Sequence, residues 1–177
     1  MAGTDATDLQ ALCDELLAAS IEALDTIPDF AAELGGAPQR SFVSPGQPAL
    51  DCCDQLTVNV TSVTEAPTSP GGLSAGRRAS SARVNLVGLA VTITRCIPSY
   101  DDIPLAEDLQ ASSEQLNADT WALWNHLWNL WRSGDLFTLC SEVFWDGLRP
   151  VNPSGGCAGS VLSLRVALDG YEESPTS

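Results

Sequence analysis

The segment 84–97 constrains the fold more than any other stretch of the chain. In an extended backbone Val87, Leu89, Val91 and Ile93 share one side, while Leu86, Ala90 and Cys96 lie on the other. A strand apolar on both sides needs cover above and below, so it belongs in the middle of a sheet. Partners for it are at hand. Leu56, Val58 and Val60 alternate with Thr57, Asn59 and Thr61, which predicts a strand with one apolar and one wet face. The stretch 40–43 predicts a short strand, 137–145 an apolar strand of mixed period, and 161–168 a strand with Leu162, Leu164, Val166 and Leu168 inward.

Two stretches carry the helical period instead. Over 7–26, Leu9, Leu12, Cys13, Leu16, Leu17, Ile21 and Leu24 recur at spacings of three and four. Thr7 with Gln10 suggests a capping box at its start, and Pro28 a stop at its end. The second helix is expected over 105–132, where Trp121, Trp124, Trp128 and Trp131 form one stripe. That stripe either packs on the sheet or is partly covered by a neighbouring subunit, since Trp is enriched at buried interface centres.

The order α-β-β-β-α-β-β therefore predicts an α+β fold: a mainly antiparallel sheet with two packed helices. With 177 residues and 44% hydrophobic content, one domain over 1–170 is expected, followed by a frayed acidic tail at 171–177. Two stretches read as irregular. The segment 66–82 is rich in Pro, Gly, Ser and Ala with little to bury, and reads as a mobile excursion between strands; 146–159, with its Pro and Gly residues, reads as a loop.

Charge narrows the function. There are 23 acids against 8 bases, all Arg, for a net charge of −15. Such a surface repels phosphate backbones. Arg77, Arg78, Arg83 and Arg95 form the one candidate basic patch. No uninterrupted apolar run is long enough to span a bilayer, and the first residues lack the basic start of a secretory leader, so a chain made in a cytosol with no membrane partner is expected. On that expectation the six Cys are reduced thiols serving as small core residues, and zinc is not expected because the only close pair is the vicinal Cys52-Cys53.

Catalytic chemistry finds little to work with. Without Lys there is no P-loop and no Schiff base. The only His, His126, lies in the Trp-rich helix, and no Gly-x-Ser-x-Gly elbow is present. Asp14-Glu15, Asp101-Asp102 and Glu172-Glu173 read as solvated charge. No catalytic, cofactor-binding or metal-ligating residue is therefore assigned.

Several short stretches, taken in order, resemble a group of small neck proteins of siphoviruses that infect actinobacteria, the tail terminators and head-to-tail connectors. They are Cys13-Asp14-Glu15-Leu16-Leu17, Arg40-Ser41-Phe42-Val43, Asp51-Cys52-Cys53-Asp54-Gln55-Leu56 and Val91-Thr92-Ile93-Thr94-Arg95-Cys96-Ile97-Pro98. Asp119-Thr120-Trp121-Ala122-Leu123-Trp124 and Gly155-Gly156-Cys157-Ala158-Gly159-Ser160 complete the series.

The resemblance implies a tail-terminator-like fold in a non-enzymatic virion protein: a subunit of a ring, six-fold by preference, that caps the tail tube and joins it to the head. It implies as partners other copies of the chain, the tail-tube protein and a head-side connector or stopper, with genomic DNA passing through the lumen unbound and the virion neck as location. A connector or head-closure role in the same neck is the nearest alternative. Outside this class stand a small Cys-dependent hydrolase and an acidic nucleic-acid mimic. As candidate inter-subunit contacts we take Arg77, Arg78, Trp121, Trp124 and Trp128, the two arginines meeting carboxylates on the next acidic copy.

Overall fold

The computed structural model describes residues 6–26, 36–48, 54–67, 83–97, 105–138, 140–154 and 156–169. Two helices, α1 (Ala6–Asp25) and α2 (Ala106–Ser133), accompany five strands: β1 (Arg40–Val43), β2 (Gln55–Pro67), β3 (Arg83–Cys96), β4 (Cys140–Ser154) and β5 (Cys157–Asp169). Along the chain the order is α1-β1-β2-β3-α2-β4-β5, an α+β arrangement. The strands form one sheet in the order β1-β2-β3-β5-β4. β1 runs parallel to β2, and every other pairing is antiparallel. β3 is central, as its two apolar sides require.

Register places the core on one face. Val58, Val91 and Leu162 lie opposite one another across β2, β3 and β5; Leu89 and Leu164 follow two residues on, and Trp145 of β4 extends that row. Both helices cover this face, α1 over β1 to β3 and α2 over β5, with the two helices also in contact. Leu12, Leu16, Ala23 and Leu24 of α1 and Leu123 and Leu127 of α2 close the core against the strands. The first helix follows its period, although Thr7 lies inside it rather than at its cap, and Pro28 is outside the described residues. α2 ends on Gly134, whose left-handed φ of 83° lets the backbone turn back onto the last carbonyls.

Four expectations about the strands are corrected. The stretch 146–159 is not a loop: β4 and β5 form a long hairpin whose last pair is Ser154 with Cys157. Pro150 and Pro153 fit because β4 is an edge strand, where a residue without an N–H is tolerated, and Gly147 at φ 112° stands where the register shifts. The strand expected from residue 137 starts at Cys140; Leu136 and Phe137 precede it as buried core residues, Phe137 in the left-handed region. Ala66 and Pro67 are paired with Val84 and Arg83, so they belong to β2, and 68–82 lies outside the described residues, as does the tail 171–177.

The second face of β2 is not wet where expected. Gln55, Thr57 and Asn59 are buried there together with Thr92 and Thr94 of β3, and only from Thr61 onward is the strand exposed. Among the described residues the hydroxyls of Thr57 and Thr94 have no hydrogen-bond partner. Where β2 bulges between Val60 and Ser62, it faces Gly88; a Cβ at Gly88 would collide with the hydroxyls of Thr61 and Ser62.

Candidate functional site

The densest polar constellation lies where β3 ends. Arg95 continues the core side of β3 beyond Ile93, and its guanidinium meets Asp119 of α2: Nε donates to Oδ2 at 2.9 Å and Nη2 to Oδ1 at 3.1 Å. Nη2 also donates to the Gly36 carbonyl at 2.7 Å, and Nη1 lies 3.4 Å from Oδ1 of Asp54, just before β2. Beside them the Thr120 hydroxyl donates to Ser160 Oγ of β5 at 3.0 Å. One side chain thus ties together the residue preceding β2, the turn preceding β1, the end of β3 and the middle of α2.

The electrostatics suit a fixed ion pair. The side chains of Arg95 and Asp119 are 6% and 1% exposed. Burial by itself would lower the Arg95 guanidinium, but the hydrogen bonds and charge of Asp119, with a smaller part from Asp54, raise it above its ordinary value. Burial lifts the Asp119 carboxyl above its ordinary value, and the hydrogen bonds and charge of the bidentate Arg95 guanidinium pull against that rise. Arg95 is therefore no member of a basic surface patch, and that expectation is corrected: its charge is consumed inside the fold.

Of the expected inter-subunit residues, Arg77 and Arg78 lie outside the described residues. The tryptophan stripe divides. Trp124, Trp128 and Trp131 gather around Trp145 of β4, with ring centroids 4.9 to 6.2 Å apart, and so pack against the sheet edge. Trp121 stays outside this cluster and is 66% exposed. The buried seam of α2 is not the tryptophan stripe but Asp119, Leu123 and Leu127 at fourfold spacing. Both members of the junction could have been found from period: Arg95 has the parity of Val91 and Ile93, and Asp119 that of Leu123 and Leu127.

His126 stands 3.8 Å from Glu22 of α1, with its Nε2 buried and, among the described residues, without a hydrogen bond. Among the described residues no group of three or more His, Cys, Asp or Glu is placed to hold a metal ion. The expectation that all thiols are reduced is overturned at Cys157, which is disulfide-bonded at the start of β5. Cys13 does match it: it is free and buried in the core, where burial, then the charge of Asp14, pushes its thiol up. Among the described residues no helix is long and apolar enough to cross a membrane.

Charge is unevenly distributed between the layers. α1 has no base at all, and α2 has Glu107, Asp108 and Glu114 in its first half and Arg132 only in its last turn. On the sheet, Arg165 is bidentate with Asp146, at 2.9 Å from Nε to Oδ2 and 2.8 Å from Nη2 to Oδ1. That hydrogen bonding, followed by the carboxylate's charge, raises the Arg165 guanidinium above its ordinary value. Its guanidinium also lies 5.7 Å from the Phe144 ring centroid. No protein-family model matches the chain, and no curated protein matches it.

Proposed function

We propose that this chain is a structural subunit of a phage neck, a tail terminator that forms a ring on the last turn of the tail tube and offers the head its docking surface. The observation that carries the reading is spatial. Four of the stretches that resemble neck proteins, far apart in sequence, meet at the Arg95 junction. Asp54 comes from one, Arg95 from a second, Asp119 and Thr120 from a third, and Ser160 from the fourth.

The rest of the molecule is compatible with a ring built through something other than strand edges. β1 is four residues long, and β4 is broken by register shifts and two prolines, features that discourage pairing with another sheet edge. Copies joined head to tail by unlike surfaces close into rings when the rotation permits. The acidic helical layer suits a subunit past which DNA must slide without being held. A particle released from its host meets oxidising surroundings, in which the Cys157 disulfide persists.

The test is electron microscopy of necks from assembled particles, with the chain located by an antibody or a tag. A six-fold ring of this chain on the tail tube is expected, together with purified protein halting tube growth in vitro. A chain found elsewhere in the particle, or absent from it, refutes the proposal. A ring on the head side of the joint replaces the terminator with a connector.

A further inference from the structure

The first half of α2 is built unlike the second. From Asp119 onward the helix lies on the sheet: Thr120 reaches Ser160, and Trp124, Trp128 and Trp131 reach Trp145. Before Asp119 no residue is buried, and every residue from Leu105 to Ala111 is exposed. Because Asp119 is held at the end of β3, this half extends past the end of the sheet by about 20 Å at 1.5 Å per residue. It is not a merely polar projection. Leu105 and Leu109 are 60% and 41% exposed, and Leu116, half-buried, shares their side. Two of the six exposed large hydrophobic side chains of the described residues lie on this half, and a third, Trp121, follows just after Asp119. Glu107, Asp108 and Glu114 accompany them, with no base before Arg132.

The complementary segment is 68–82. It contains Leu73, Arg77 and Arg78 and no acid. Its ends are fixed by the pairing of Pro67 with Arg83, at the opposite end of the sheet from the Arg95 junction. β3 separates those two ends by roughly 40 Å at about 3.3 Å per residue. A segment tethered at both ends reaches outward only about half its contour, roughly 25 Å at about 3.5 Å per residue. The segment 68–82 therefore cannot meet the projecting half of α2 within one molecule, whereas in a head-to-tail neighbour it can.

Resting on the ring reading above, we infer that the projecting half of α2 is the docking surface for a second copy of this chain, and that its occupant is the neighbour's segment 68–82. Arg77 and Arg78 meet Glu107, Asp108 and Glu114, while Leu73 covers Leu105 and Leu109. The contact joins unlike surfaces at opposite ends of the subunit, the geometry that closes rings. It needs no edge strand.

Sedimentation of the full chain over a range of concentrations and salt tests this. The wild type is expected to self-associate, more weakly at high salt. Arg77→Glu with Arg78→Glu should weaken association at least tenfold, as should Glu107→Arg with Asp108→Arg, each with unchanged circular dichroism. All four substitutions together should restore association to within about threefold of the wild type. Reversals that associate like the wild type overturn the contact and leave the ring reading to the symmetry of the necks. So does a fourfold variant no better than the double variants. A wild type that stays monomeric overturns the contact too. If Glu107→Arg with Asp108→Arg leaves rings intact but stops particles joining, the surface belongs to another protein and the copy-to-copy contact is wrong.

Discussion

Replacing Asp119 with Ala isolates what the Arg95 junction contributes. The substitution removes both guanidinium–carboxylate hydrogen bonds and leaves a guanidinium 6% exposed, with the Gly36 carbonyl and an Asp54 carboxylate 3.4 Å away and itself 61% exposed. Breaking a buried pair from one side costs about 3–5 kcal/mol, because the remaining charge stays buried without its partner. Asp54 softens the loss, so about 3 kcal/mol is expected. With a urea slope of about 2 kcal/mol per molar, the unfolding midpoint falls by about 1.5 M at unchanged slope. Arg95→Met combined with Asp119→Leu removes both charges and should lie within about 1 kcal/mol of the wild type. The pair of results is decisive. A cost below about 1 kcal/mol for Asp119→Ala would mean that Arg95 finds water or another partner, and the junction would lose its structural role.

Three further outcomes can be checked on purified protein. Trp145→Ala empties the centre of the tryptophan cluster and should cost about 2–3 kcal/mol by urea unfolding, less than a fully buried tryptophan because the site is only half-buried; Trp145→Phe, which removes an indole N–H that has no partner among the described residues, should cost less than about 1 kcal/mol. Gly159→Ala drives a Cβ into the Ile93 carbonyl and should lower the thermal midpoint by several degrees, equivalent to about 2 kcal/mol or more, whereas Gly46→Ala meets nothing and should be neutral. Cys13, buried and with its thiol pushed up by that burial, should resist alkylation in the native state and react only as the chain unfolds; rapid labelling followed by mass spectrometry would contradict its place in the core.

The parts of the fold visible in the sequence are those written in a period. The two-sided run of β3 gave its central place in the sheet, and the clean alternation of β5 and the threefold and fourfold leucine spacing of α1 gave their inner faces. What escaped depends on position rather than pattern. Pro150 and Pro153 argue against a strand unless it is known to be an edge, which only the sheet order reveals. Thr57 and Asn59 have the composition of a wet face yet are buried. Arg95 stands in a basic run along the chain, while its partners Asp119, Asp54 and Gly36 come from three other segments. The disulfide at Cys157 is not legible in the sequence, because a pairing is set by which segments the fold brings together and not by the compartment that the composition suggests.

A helix that protrudes needs more than adhesion at its base. Leu123 and Leu127 hold α2 to the sheet by apolar packing, which is strong but nondirectional, and a helix held only so can rotate or slide with little loss. The bidentate Arg95–Asp119 pair is directional: it fixes both the height of α2 along β3 and its rotation, and therefore where Leu105, Leu109, Glu107 and Asp108 point. Stability and aim can be separated. Arg95→Met with Asp119→Leu should keep the unfolding midpoint near that of the wild type, since apolar contact replaces the pair, yet weaken self-association about tenfold because the projecting half of α2 no longer presents one orientation to its neighbour. Sedimentation and urea unfolding on the same preparation measure the two quantities. A double variant that is both as stable and as associated as the wild type would show that packing alone sets the helix, and that the ion pair does not position the docking surface.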